Sequence, residues 1–193
     1  MSVENQLLQR SGSRCELCAS AESLFVYQLP PVSAPGADDA ILVCERCLAQ
    51  LEKRTEPDAA HWQCLKDCMW SDVPAVQVVS WRLLNRLKNE SWVNELLDMM
   101  YLDDDRLAFA KATGDHLESD GEEFHRDCNG ALLQTGDTVT LIKSLDVKGS
   151  QVNAKIGTVV KSIRLVPDNT AQIEGKIEGQ QIVILTKYVR KSG

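Results

Sequence analysis

A multidomain α+β chain is what this sequence predicts, and three observations carry the prediction. Two Cys-x-x-Cys pairs stand near the N-terminus, Cys15-Glu16-Leu17-Cys18 and Cys44-Glu45-Arg46-Cys47. A middle stretch repeats its apolar residues at helical spacing, and from Asp127 onward the period falls to two, the pattern of half-buried strands. The expected boundaries are a four-cysteine zinc module over 1–56, a helical segment over 57–113, an acidic linker over 114–126 and an all-β module over 127–193. A chain of 193 residues, 44% hydrophobic and 25% charged, accommodates that many small modules.

A Cys-x-x-Cys turn aims two thiolates at one point, and a second such turn completes a tetrahedron of soft ligands around Zn²⁺. With Cys15, Cys18, Cys44 and Cys47 as ligands the shell is closed, leaving no position for water or substrate, so the expected zinc is structural. The competing reading is a pair of redox dithiols or disulfides. Against it, Met1-Ser2-Val3-Glu4-Asn5-Gln6 lacks the basic-then-apolar order of an export signal, which predicts a cytoplasmic, reducing setting. No apolar run approaches the ~20 residues of a membrane helix.

Between the pairs, Leu24-Phe25-Val26-Tyr27-Gln28-Leu29 is β-prone and stops at Pro30-Pro31, and residues 33–39 read as a loop. Ile41-Leu42-Val43 leads into the second pair, and Cys47 to Lys53 favours helix. Knuckle, strand, loop, strand and helix is treble-clef order; a zinc ribbon would end in another strand. In the middle segment, Pro57 suits a first helical position ahead of Trp62, Leu65, Cys68 and Met69. Asp72 before Pro74 is expected to cap a second helix carrying Val76, Val79, Leu83, Leu84 and Leu87, and Ser91 a third carrying Trp92, Leu96, Leu97 and Met100. Asp103-Asp104-Asp105 supplies the negative charge that the first turn of a fourth favours. Trp62, Trp81 and Trp92 belong to or beside these stripes, as core rather than as a ligand pocket.

Past Asn129-Gly130 and Gly136-Asp137, both turn signals, come strands over 138–142, 157–165, 171–177 and 182–185, the last two joined at Glu178-Gly179. Short strands without a helical pattern predict a small SH3-like barrel. Charge divides the same way: residues 1–126 hold 12 Lys/Arg and 22 Asp/Glu, residues 127–193 hold 9 and 6, giving −10 and +3. Only the C-terminal module can attract nucleic acid, through a strip of Lys143, Lys148, Lys155, Lys161 and Arg164, or else these are a solvated barrel surface with Tyr188 as the one aromatic for stacking.

His61, Cys64 and Cys68 fall along one face of a helix and could hold a second metal or a redox site. Without the knuckle turn, the expectation is two small core thiols and a surface histidine. Cys128 is expected to be inert, and His116 and His125 solvated in the acidic linker. No phosphate loop, nucleophile elbow or His-Glu-x-x-His is present.

The run from Gly136 to Ser150 (GDTVTLIKSLDVKGS) and that from Lys155 to Leu165 (KIGTVVKSIRL) resemble the PhnA family, named after an alkylphosphonate-utilisation operon, over roughly residues 127–191. The resemblance implies a zinc-binding piece joined to this barrel and little about activity. The chain departs from the short family form in its helical insert. Its Lys-x-Gly-Thr-Val stretch also resembles small barrels of ribosomal and transcription-elongation proteins, where strand and loop meet RNA. The four-cysteine module resembles the treble clef of HNH endonucleases, but Val26-Tyr27-Gln28-Leu29 stands where those enzymes carry the activating histidine, and Leu48 follows the second pair where a histidine is usual. The expected function is therefore a non-catalytic binding or adaptor protein with a macromolecular partner. The alternative is a metal-dependent hydrolase acting on a phosphonate or phosphodiester.

Overall fold

The first helix starts at Ser2, whose hydroxyl accepts from the Asn5 amide at 3.3 Å, and stops at Gly12 in the left-handed conformation with φ 62°. This helix, α1 (Val3–Ser11), arises where the sequence offers only a polar N-terminus, and it seats Leu7 on Ala40 and Leu42. The protein is described here by a computed structural model covering residues 2–31, 36–117, 124–146, 153–167 and 169–192. It divides into two units, residues 1–111 with 115–117 and residues 112–114 with 118–193. Residues 33–35 of the expected loop, the acidic residues 118–123 and Lys148 lie outside the described residues.

In the first unit, β1 (Leu24–Gln28) pairs antiparallel with β2 (Ala40–Cys44), and α2 (Glu45–Leu51) begins one residue after β2 ends. Every residue of β2 is buried, because α1 covers one face and the main core the other. Next come a 3₁₀ turn (His61–Cys64), α3 (Leu65–Cys68), α4 (Pro74–Arg86), α5 (Val93–Met99) and α6 (Asp104–Lys111). Three expected helix starts move. Pro57 opens no helix; the turn begins at His61, where Asp58 Oδ1 accepts from the Ala60 and His61 amides at 3.0 and 3.2 Å. Val73, not Asp72, precedes α4, since Pro74 already fills the position that lacks a donor need. Trp92, not Ser91, precedes α5 without a side-chain cap. Asp103 does cap α6, accepting from the Arg106 amide at 2.9 Å.

The expected boundary at 56/57 has no counterpart in the packing. A single apolar core runs from Cys15, Cys44 and Cys47 through Trp62 and Leu65 to Val79, Leu83, Leu84 and Ala110. The two largest polar side chains inside it are paired: Trp62 Nε1 donates to Gln50 Oε1 at 2.6 Å, and Arg82 donates to the Ala110 and Phe109 carbonyls at 3.0 and 2.7 Å. Arg86 donates to the carbonyls of Gln50 and Leu51 at the end of α2 and to Asp115 at 3.0 Å. Asp115 is thereby buried rather than solvated, as is expected of a carboxylate only when paired. His116 is likewise half-buried, its ring 5.7 Å from that of Trp81.

The second unit is antiparallel throughout its described strands. One sheet has the order β10 (Val189–Lys191), β3 (Val139–Leu141), β6 (Val159–Val160); another has β7 (Arg164–Leu165), β8 (Gln172–Ile177), β9 (Gln180–Leu185); β4 (Leu145–Asp146) and β5 (Asn153–Ala154) form a ribbon. The strand expected over 157–165 is two strands, broken where Ser162 takes φ 53°. Glu178 and Gly179, at φ 51° and 82°, make the hairpin turn between β8 and β9. Val139, Leu141, Val160, Ile163, Ile173 and Ile184 fill the core. Asp127 pins the start of the unit to β10: its carboxylate accepts from the Asn129, Ala131 and Lys191 amides, each at 2.8 Å. His125 is buried and donates from Nε2 to the Val166 carbonyl at 3.0 Å, so it too is not the solvated linker histidine expected. Among the described residues no helix is long and apolar enough to cross a membrane.

Candidate metal centre

The first cysteine pair is a tight turn closed by the Ala19 amide on the Cys15 carbonyl at 2.9 Å, with Ala19 itself left-handed at φ 60°. Glu16 locks that turn to the second pair. Its amide donates to the Leu42 carbonyl at 2.8 Å, and its carboxylate accepts from the Leu42 amide at 2.7 Å and from Arg10 at 2.8 Å. Cys44 ends β2 and Cys47 lies in the first turn of α2. The four Sγ atoms consequently lie within 4.8 Å of one another, the only such cluster among the described residues.

Metal–sulfur bonds of ~2.3 Å in a tetrahedron imply sulfur–sulfur edges of about 3.8 Å. Cys15 to Cys47 measures 3.8 Å and Cys18 to Cys44 measures 3.6 Å. A disulfide would need ~2.05 Å, and all of these thiols are free. The donor set fits a divalent, thiophilic ion. Cys15, Cys44 and Cys47 are buried and Cys18 half-buried.

Proton sharing in the metal-free cluster points the same way. Burial pushes the Cys18 thiol up to about 12. Cys15 and Cys47 share a proton, which holds Cys15 down at about 5 and pushes Cys47 far up. At neutral pH Cys18 and Cys47 thus carry protons that a metal must displace, whereas Cys15 carries none. Affinity is present at high pH and lost as pH falls. A competition titration with a chromophoric chelator is expected to show log apparent affinity rising by at least about two per pH unit between about pH 6 and 8. A pH-independent affinity would mean the thiols are not the ligands.

His61, expected at the surface, is instead drawn to the cluster. It is half-buried, and its Nε2 lies 3.1 Å from Cys47 Sγ. Burial, then the Arg46 charge, lowers its pKa below the usual imidazole value. No spacing rule reveals this contact, because it spans 14 residues across a loop. Cys64 and Cys68 do not join the cluster. They pack on the core, Cys68 Sγ 3.6 Å from Ser80 Oγ, with the Cys68 contact and burial raising Cys64 and the same contact lowering Cys68.

The basic residues of the second unit fall into different places. Lys161 and Arg164 line a groove of about 330 Å³ together with Ser162, Glu174, Lys176 and Gln181. Lys143 and Lys187 instead stand over the ring of Tyr188, at 5.0 and 5.1 Å from its centroid. Lys155 is exposed in the turn before β6, and Cys128 is an exposed thiol whose pKa burial raises.

A family model for the PhnA domain, YjdM, matches residues 125–192. Protein YjdM of Escherichia coli K12 is 47% identical over 76 residues, covering 39% of this chain and 67% of that protein. Protein YjdM of Streptococcus mutans is 55% identical over 66 residues, 34% of this chain and 59% of its own length. The YjdM homolog of Haemophilus influenzae is 37% identical over 76 residues, 39% of this chain and 59% of its own length. The cysteine cluster lies outside residues 125–192, so the matched domain accounts for the second unit and not for the metal centre. On the strength of that second unit, the chain belongs to the PhnA/YjdM family.

Proposed function

We propose that this protein is a non-catalytic binding protein whose first unit folds around a structural Zn²⁺ and whose second unit, an SH3-like barrel, contacts a polyanionic macromolecule, nucleic acid. The observation that carries the reading is the closed set of four cysteine sulfurs, which leaves a bound ion no free position for substrate. The order β1, β2, α2, with the second cysteine pair opening the helix, supports a treble clef, and the short antiparallel strands support the barrel. Zn²⁺ held there supplies folding energy rather than chemistry.

Lys161, Arg164 and Lys176 share one groove, and among the described residues none of them forms an ion pair. With Glu174 as the one carboxylate in its lining, the groove keeps a net excess of two positive charges, which attracts phosphate oxygens. Fluorescence anisotropy with a labelled single-stranded oligonucleotide tests this. Each of Lys161→Ala, Arg164→Ala and Lys176→Ala is expected to weaken binding and to reduce the salt slope by roughly 0.7 to 1. Binding unaffected by all three replacements, or no binding at low salt, would reject the nucleic-acid contact.

A further inference from the structure

We infer that His61 is the outer-sphere hydrogen-bond donor of the metal centre, its Nε2–H held on the thiolate of Cys47. The inference rests on the metal-centre reading of the cysteine cluster. A metal-bound cysteine sulfur carries no proton and can only accept, so the ring nitrogen 3.1 Å away must be the donor, which settles the tautomer. His61 is not itself a ligand. The four sulfurs are mutually within 4.8 Å, and no ring nitrogen shares that cluster.

The histidine is held rather than merely nearby. Asp58 accepts from its backbone amide at 3.2 Å, and Asp58 is fastened by Arg46 at 2.6 Å and through its own amide to Gln50 Oε1 at 2.7 Å. Arg46 and Gln50 both belong to α2, the helix that carries Cys47. Trp62, fully buried and bonded to the same Gln50 oxygen, meets the imidazole edge-on at 5.0 Å between centroids. One helix therefore supplies both the sulfur and the frame that presents the donor to it.

Four thiolates around a divalent ion leave two excess negative charges. A donor on Cys47 draws charge off the most deeply buried of the four cysteines and makes that sulfur a poorer target for protons and electrophiles. Another hydrogen bond to a cluster sulfur from outside the cysteine side chains, the Cys18 amide on Cys15 Sγ, is longer, at 3.5 Å. Outer-sphere partners of this kind are worth about 10–100-fold in metal affinity.

The test uses the full chain loaded with Zn²⁺, and in parallel with Co²⁺ as a spectroscopic probe. Wild type, His61→Phe, His61→Ala and His61→Gln are compared for metal content by elemental analysis, release rate into a chromophoric chelator, and the thiolate-to-cobalt charge-transfer band. One metal per chain and a four-sulfur band are expected in every variant. Release is expected about 10–100-fold faster in H61F and H61A, with most of the difference recovered in H61Q, whose amide restores a donor. Release at the wild-type rate in H61A overturns the proposal, and H61Q releasing as fast as H61A overturns it by assigning the effect to packing. A lost metal or a changed cobalt band in H61F and H61A alike makes His61 a ligand and overturns it too. Wild type that binds no metal rejects the metal centre itself, whereas metal-replete wild type with an unaltered H61A rejects only the role of His61.

Discussion

Cys44→Ser is expected to empty the metal centre and unfold the first unit while leaving the second intact. Three of the four cluster cysteines are members of the main apolar core, so the site is part of the packing that holds α2 against the 3₁₀ turn and α4. Structural Zn²⁺ contributes about 10–16 kcal/mol in small zinc modules, against a total stability of roughly 5–15 kcal/mol for a typical domain. Losing it removes an amount comparable with the whole stability of such a unit. The two units report separately, because all four tryptophans, at 62, 70, 81 and 92, lie in the first. Tryptophan emission in C44S is expected at the red-shifted wavelength of solvated indole, with metal content near zero. Strand signal from residues 125–192 is expected to persist. A variant that keeps wild-type emission without metal would show that the cluster does not support the fold. Chelator added to wild type should reproduce the mutant spectrum.

Gly175→Ala is expected to destabilise the second unit by about 1–3 kcal/mol. Gly175 is buried in the middle of β8, and a Cβ there would overlap Val160 Cγ1, with Ile163 Cγ2 behind it at 3.9 Å. Val160 is itself fully buried in β6, so it has no open space to retreat into. The glycine is there for close approach between sheets, since its backbone conformation is an ordinary extended one. Thermal unfolding followed at the strand signal measures the loss. Adding Val160→Ala to Gly175→Ala should return part of it by removing the obstructing methyl, a coupling that two independent destabilisations would not show. Equal stability of G175A and wild type would mean the sheets separate there at no cost.

The metal cluster, the strands flanking it and the C-terminal change of period were all legible because each is a local pattern. Two Cys-x-x-Cys turns need only their own spacing, and Gln172 to Ile177 alternates buried and open whichever neighbour it meets. The family resemblance read from Gly136 to Ser150 and Lys155 to Leu165 has the same origin, an uninterrupted run, and the comparison over 125–192 agrees with it. Helix starts were less legible. Pro57, Asp72 and Ser91 are all plausible at a first turn, and selection among plausible caps is made by packing, here by Trp62 and its bond to Gln50.

By itself, then, the sequence determined which residues can bind a soft metal, where the strand-forming module lies and which of the two parts carries positive charge. Tertiary structure alone decided that the cysteine segment and the helices share one core, that Asp115 and His125 leave the solvent, and that His61 meets Cys47. Each of those is a contact between residues far apart in the chain. The free energy of such contacts comes from burying apolar surface, with partners offsetting the cost of the polar groups taken in, and a one-dimensional pattern records the groups without recording what they meet.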